Sequence, residues 1–164
     1  MADEGSTSAL AEIGNIYEVG GGGVTQDFAK AREWYERSSM LGDPDGHIGL
    51  ARMYYFGLGV EQNDAKALDL FQKAHAADAT KAGVVYALGV LFELGRGTAK
   101  DDDRAIEYYL RAAAMGHALA LKNLAVLRIV RGDRIGGIFL WCRALVRIFS
   151  IALKDPNDPR LKVR

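Results

Sequence analysis

Three segments of this chain can be laid over one another, and no other feature limits the possible folds so tightly. They are "IGNIYEVGGGGVTQDFAKAREWYERSSMLG" from Ile13, "LARMYYFGLGVEQNDAKALDLFQKAHAAD" from Leu50 and "LGVLFELGRGTAKDDDRAIEYYLRAAAMG" from Leu88. Ala31, Ala67 and Ala105 fall at one repeat position, and Tyr35, Phe71 and Tyr109 at another, with spacings of 36 and then 38 residues. A further first half, "ALALKNLAVLRIVRG" from Ala118, follows without a glycine loop of the same kind. Repeats of this length are single supersecondary units that complete one another's core by stacking.

Each unit reads as two amphipathic helices joined by a glycine turn. In the first helix Ile13, Gly14 and Tyr17 lie at i, i+1 and i+4, as do Leu50, Ala51, Tyr54 and Leu88, Gly89, Phe92. That spacing puts large residues on one face around a small one, where a neighbouring helix can approach closely. The expected fold is all-α, with units at about 9–43, 44–79 and 82–117 and a half unit at 118–132. Residues 1–8 are expected to be a flexible N-terminus.

The stretch "LGRGTAKDDDR" looks at first like a phosphate or metal loop. Its glycines, however, occupy the place of those in "GLGVEQNDAK" and "GGGGVTQDFAK". They are suited to the positive φ that closes a turn after a helix. Asp101 aligns with Asp27 and Asn63, all residue types that cap a helix N-terminus, and Asp102 and Asp103 suit the positive end of the helix dipole. A phosphate loop would end in Gly-Lys-Ser/Thr, and a calcium loop would alternate its oxygen ligands. Neither pattern is present, so the stretch is read as a turn and a cap.

The combined pattern, Gly-x-x-Tyr-x-x-Gly-x-Gly-Val-x-x-Asp followed by Ala-x-x-Trp/Tyr-Tyr-x-x-Ala-Ala-x-x-Gly, resembles the Sel-like repeat, a relative of the tetratricopeptide repeat. Gly89, Phe92, Gly95, Gly97, Asp101, Ala105, Tyr108, Tyr109, Ala112, Ala113 and Gly116 carry it best, and it covers roughly residues 9–131. The first unit has an extra glycine among Gly20 to Gly23. The second has Asn63 for the Asp and Asp78 for the closing Gly, and its link to Gly89 is longer. The resemblance implies a right-handed α-solenoid that serves as an interaction scaffold, generally without catalysis. Short chains of this kind look bacterial.

Charge and composition narrow the function further. Lys plus Arg and Asp plus Glu are equal at 21, which gives no reason to expect nucleic acid as a partner. Nine of the basic and three of the acidic residues lie from Arg128 onward, so a basic tail follows an acidic body. The start "MADEGSTSAL" lacks the pattern of a signal peptide, and Cys142 is the only cysteine. Both fit a reducing, cytoplasmic setting. His47, His75 and His117 are scattered without ligand-like spacing, so neither a metal nor another cofactor is expected. No constellation points to an enzyme or to a small-molecule substrate.

The resemblance assigns the first helices to a concave face that binds a partner protein or peptide. Counted from the small residues Gly14, Ala51, Gly89 and Ala125, the inward positions are three before and one, four and five after. This gives Ala11, Asn15, Glu18 and Val19, then Ile48, Arg52, Tyr55 and Phe56. It continues with Tyr86, Val90, Glu93 and Leu94, then Lys122, Val126, Ile129 and Val130. Asn15, Glu18, Arg52, Tyr55, Phe56, Tyr86 and Glu93 are the candidate partner-binding residues, since aromatics beside Arg mark interface hot spots. Packing on neighbouring helices is the alternative use of the same side chains.

After the repeats, residues 134–154 predict an apolar and basic helix, ended by Pro156 and Pro159 within a basic tail at 155–164. Arg143 and Arg147 share a stripe with Leu140, Ser150 and Lys154. Ile138, Phe139, Trp141, Leu145, Val146, Ile148, Phe149, Ile151 and Leu153 make a broad apolar face. Three uses compete: a cap on the solenoid, a helix lying on an anionic membrane surface, and a membrane span. In a span, two central arginines would cost about 5–7 kcal/mol together, which nearly cancels the gain from the aliphatic residues.

Overall fold

The structure, a computed structural model, describes residues 4–154, with side chains for residues 8–146, 149 and 150. Among these residues there are eight α-helices: α1 Glu4–Val19, α2 Phe28–Met40, α3 Pro44–Phe56, α4 Asp64–Ala77, α5 Ala82–Leu94, α6 Asp102–Ala114, α7 Ala118–Val130 and α8 Arg134–Lys154. No strand occurs among the described residues, and the fold is an all-α stack of helix–turn–helix units. The helix at the N-terminus begins at Glu4 and takes in most of the stretch expected to be flexible. The basic tail at 155–164 lies outside the described residues, as do residues 1–3.

The loops repeat one another closely. Asp27, Asn63 and Asp101 each cap a second helix, accepting a hydrogen bond from the backbone N–H of Lys30, Lys66 and Arg104 at 3.0, 3.0 and 2.9 Å. Their φ values are −147, −146 and −143°. Each cap residue also sends its own N–H back to the first helix, to the carbonyl of Tyr17, Tyr54 or Phe92, at 2.8, 2.9 and 2.9 Å. One residue thus starts a helix and ties it to the preceding one, so an Asp or Asn recurs there.

The Gly-x-Gly element joins successive units. A Cβ on Gly59 would lie 2.4 Å from the Cβ of Phe28 at the start of α2, and one on Gly97 would lie 2.3 Å from the Asp64 carbonyl oxygen at the start of α4. Gly59 and Gly97 are therefore required by close approach as well as by their positive φ. "LGRGTAKDDDR" is a turn and a cap.

Two compact units divide the chain. One runs to Ala79 and includes the loop Arg96–Ala99; the other holds Thr80–Gly95 and the chain from Lys100 onward. The boundary falls where the sequence departs from the repeat. Gly42 and Gly116 end their helices with φ of 79 and 96°, whereas Asp78 is extended at φ −145°, and two extra residues follow before α5.

In the first unit the core is Ala11, Ala31, Tyr35, Leu50 and Met53. The Tyr35 ring is held between two helices that carry no side chain opposite it. A Cβ on Gly14 or Gly49 would come within 2.7 or 2.4 Å of its Cδ1. In the second unit Val85, Phe92, Ala105, Tyr109, Ala112, Leu124 and Leu127 form the core, and a Cβ on Gly89 would meet Tyr109 at 2.8 Å. The small first-helix position thus seats the second-helix tyrosine.

α8 packs on α7 by a narrow stripe. Ala144 and Gly137 are buried, Leu140 is half-buried, and the Gly137 backbone is pressed against Ile129. Described members of the broad apolar face read from the sequence lie away from this contact. Ile138, Phe139, Val146 and Phe149 are 56, 65, 71 and 67% exposed. Docking uses the small residues because they let the two helix backbones approach.

Candidate binding surface

The first unit contributes α1 and α3 to the expected face. Asn15 is exposed. Glu18 is buried, and its carboxylate is fully engaged: Tyr35 donates its hydroxyl to Oε2 at 2.7 Å, and Arg52 pairs with Oε1 through Nη2. Burial first, and then the Glu18 carboxylate, push the Tyr35 hydroxyl above its usual range, so it remains a donor. Ala11, expected to line the groove, is buried in the core. Glu18 and Arg52 therefore form an internal ion pair that braces α1 against α3.

Tyr55 is half-buried beneath Arg96, whose guanidinium carbon lies 3.7 Å from the ring centroid. Arg96 also donates to the Tyr55 carbonyl at 3.0 Å and to Asp64 Oδ2 at 2.9 Å, and pairs with Asp64 Oδ1. These bonds hold the Asp64 carboxyl below its ordinary value. Sequence reasoning missed Arg96. It sits between the two glycines of a loop read only as a turn, at the position of Leu58, which packs into the core. Phe56, edge-on to Tyr55 with centroids 4.7 Å apart, stays 46% exposed.

In the second unit Tyr86 is half-buried and stacks on His117 with centroids 4.3 Å apart. Asn123 donates to the hydroxyls of Tyr86 and Tyr109, both at 3.2 Å. The Tyr109 hydroxyl in turn donates to Glu93 Oε2. Burial lowers the His117 pKa, which keeps the ring neutral against Tyr86.

One repeat position remains open in every first helix. Five residues past the small one stand Val19, Phe56, Leu94 and Val130, which are 50, 46, 58 and 75% exposed. Large apolar side chains are thus left uncovered at the same place four times. On α8, Phe139, Trp141, Arg143 and Phe149 are all exposed, and the side chain of Arg147 lies outside the described residues. Among the described residues no group of His, Cys, Asp and Glu side chains is arranged to hold a metal, and no helix is long and apolar enough to cross a membrane.

Comparison with known proteins agrees with this repeat geometry. The Sel1 repeat profile matches residues 7–43, 44–77 and 85–117. The chain belongs to the Sel1-repeat family. It is similar to chitin synthase regulatory factor 3 of Schizosaccharomyces pombe, at 31% identity over 73% of this chain and 13% of that protein. It is also similar to the ERAD-associated E3 ubiquitin-protein ligase component HRD3B of Arabidopsis thaliana, at 33% identity over 62% of this chain and 15% of that protein. The Sel1-repeat chain thus spans less than a sixth of either relative. Among solved structures, c5321 of uropathogenic Escherichia coli has a TM-score of 0.71 at 30% identity, covering 80% of this chain and 27% of that one. A Sel1 repeat protein from Oxalobacter formigenes has a TM-score of 0.72 at 22% identity over 98% and 71% of the two chains. Sel1-repeat proteins are interaction scaffolds, and the relatives named as a regulatory factor and as a ligase component accord with that.

Proposed function

We propose that this chain is a non-catalytic scaffold that holds a partner protein or peptide along its first-helix face, the concave face of such arrays. The observation that carries this reading is the recurring exposed apolar position, Val19, Phe56, Leu94 and Val130. Side chains of this kind cost solvation in the free protein and reward a partner that covers them. Phe56 supplies the anchor in the first unit, beside Tyr55 and its Arg96 cover, and Asn15 adds a polar contact. Glu18 and Arg52 shape the face from within. In the second unit Tyr86 shapes the face from within, and Glu93 adds a half-buried carboxylate to it. Its single cysteine suits work in the cytoplasm.

The test is retention of a synthetic peptide array by the full chain and by a Phe56→Ser, Leu94→Ser variant. The variant should keep its helix content by circular dichroism and lose at least about tenfold in affinity for the retained peptides. Unchanged retention would remove the first-helix face from consideration.

A second reading rests on α8. Ile138, Phe139, Val146 and Phe149 are exposed beside Arg143, and the helix contains no acidic residue. This composition suits a helix lying in the interface of an anionic membrane, with the repeats held above it. Co-sedimentation with phosphatidylserine vesicles that falls as salt is raised would support it. Co-sedimentation that is absent, or that persists in Phe139→Ser, Phe149→Ser, would dismiss it.

A further inference from the structure

Glu18 and Glu93 stand at the same repeat position, and each accepts a hydroxyl on Oε2 from the tyrosine of its own unit, Tyr35 or Tyr109. They differ in what reaches Oε1. In the first unit Arg52, one residue past the small residue Ala51, fills that oxygen with Nη2. The equivalent residue after Ala125 is Val126, which carries no charge and is 41% exposed. Glu93 is half-buried, and its only hydrogen bond or ion pair among the described residues is the one from Tyr109.

We infer that Glu93 is a receptor for an arginine side chain of the peptide partner, which takes the place that Arg52 fills internally beside Glu18. The inference rests on the first-helix reading above and names the chemistry of one contact within it. Tyr109, held by Asn123, fixes the carboxylate so that one oxygen faces a guanidinium without reorganisation. Val126 offers an apolar surface for the methylene stem of the incoming side chain. A charge-assisted bond to a preorganised, half-buried carboxylate contributes more than one on an open surface. Arginine fits better than lysine because the chain's own solution at Glu18 is a guanidinium beside a tyrosine hydroxyl.

The experiment uses two synthetic arrays of otherwise random heptapeptides, one with arginine fixed at the centre and one with citrulline, which has nearly the same shape but no charge. Full-length chain should bind its best arginine peptides at least about tenfold more tightly than their citrulline twins. Glu93→Gln keeps an acceptor for Tyr109 and should erase that ratio. Val126→Arg supplies the cation in cis and should abolish the arginine preference without lowering the melting temperature. If citrulline twins bind equally well, or if Glu93→Gln keeps the ratio, the inference fails while the first-helix face stands. If neither array is retained, both fail. Should Glu93→Gln unfold, an arginine preference surviving in Val126→Arg is enough to overturn the assignment.

Discussion

Tyr35 on α2 donates its hydroxyl to Glu18 on α1 across 2.7 Å, and both residues are buried. The repeat position of Tyr35 holds Phe71 in the second repeat, and that of Glu18 holds Tyr55 there. Hydroxyl and carboxylate are therefore lost together, which avoids leaving one of them buried and alone. Tyr35→Phe should cost about 1–3 kcal/mol in urea unfolding, because Glu18 then keeps only Arg52. Combined with Glu18→Leu, the second change should cost much less than it does alone, giving a coupling of about 1 kcal/mol or more. Simple additivity would show that the pair is not a unit.

Gly49 faces the Tyr35 ring so closely that a methyl group would sit 2.4 Å from two of its carbons. Gly49→Ala should destabilise the chain by about 1–3 kcal/mol through overpacking. Gly83, also in a helix, has nothing within 4 Å of an added Cβ, and Gly83→Ala should stabilise by about 0.4–1 kcal/mol. Thermal melts of the two variants should move in opposite directions.

Arg96 holds the Asp64 carboxyl below its ordinary value of 3.8 by hydrogen bonding. A lowered folded-state pKa means the unfolded chain binds the proton first as pH falls. The contribution is thus fully present above the unfolded value and disappears as pH drops through the folded one. Arg96→Gln should be less stable than the wild type at neutral pH, and the gap should narrow as pH falls below about 4. A gap that stays constant down to pH 2 would contradict the linkage.

His117 lies stacked on Tyr86, and burial lowers its pKa from 6.5. The neutral ring is the form the fold accepts, so stability is complete above the unfolded value and declines as pH falls toward the lowered one. His117→Phe should preserve the stack with Tyr86 and flatten the stability profile below about pH 6.5. His47, also lowered chiefly by burial, contributes a slope of the same sign, which the double variant His47→Gln, His117→Phe should remove.

Much of the fold was legible because its signals are local. The caps at Asp27, Asn63 and Asp101 need only a short polar side chain three residues ahead of a free N–H. The tyrosine seats need only a glycine at the right helical spacing. The candidate site was less legible. Glu18, Arg52 and Tyr55 were placed on the correct helices, but a side chain on an inner face can turn to a partner or to a neighbour. Glu18 and Arg52 chose each other, and Tyr55 was taken by Arg96, a loop residue 41 positions away. α8 likewise docks by Leu140 together with Gly137 and Ala144, two small residues that hydrophobicity alone ranks below Phe139 and Phe149.

The sequence by itself determined the repeat helices, their pairing into units and the turns between them. Periodicity, capping and close approach act within one repeat or between neighbours, and each has its own residue signature. Only the tertiary structure decided which carboxylate is spent and which, among the described residues, has an oxygen left over. That outcome depends on whether position 52 or position 126 carries a cation, and on which atoms the fold brings within hydrogen-bonding distance. Competition among several polar partners is settled by geometry a few ångströms across, which no single repeat encodes.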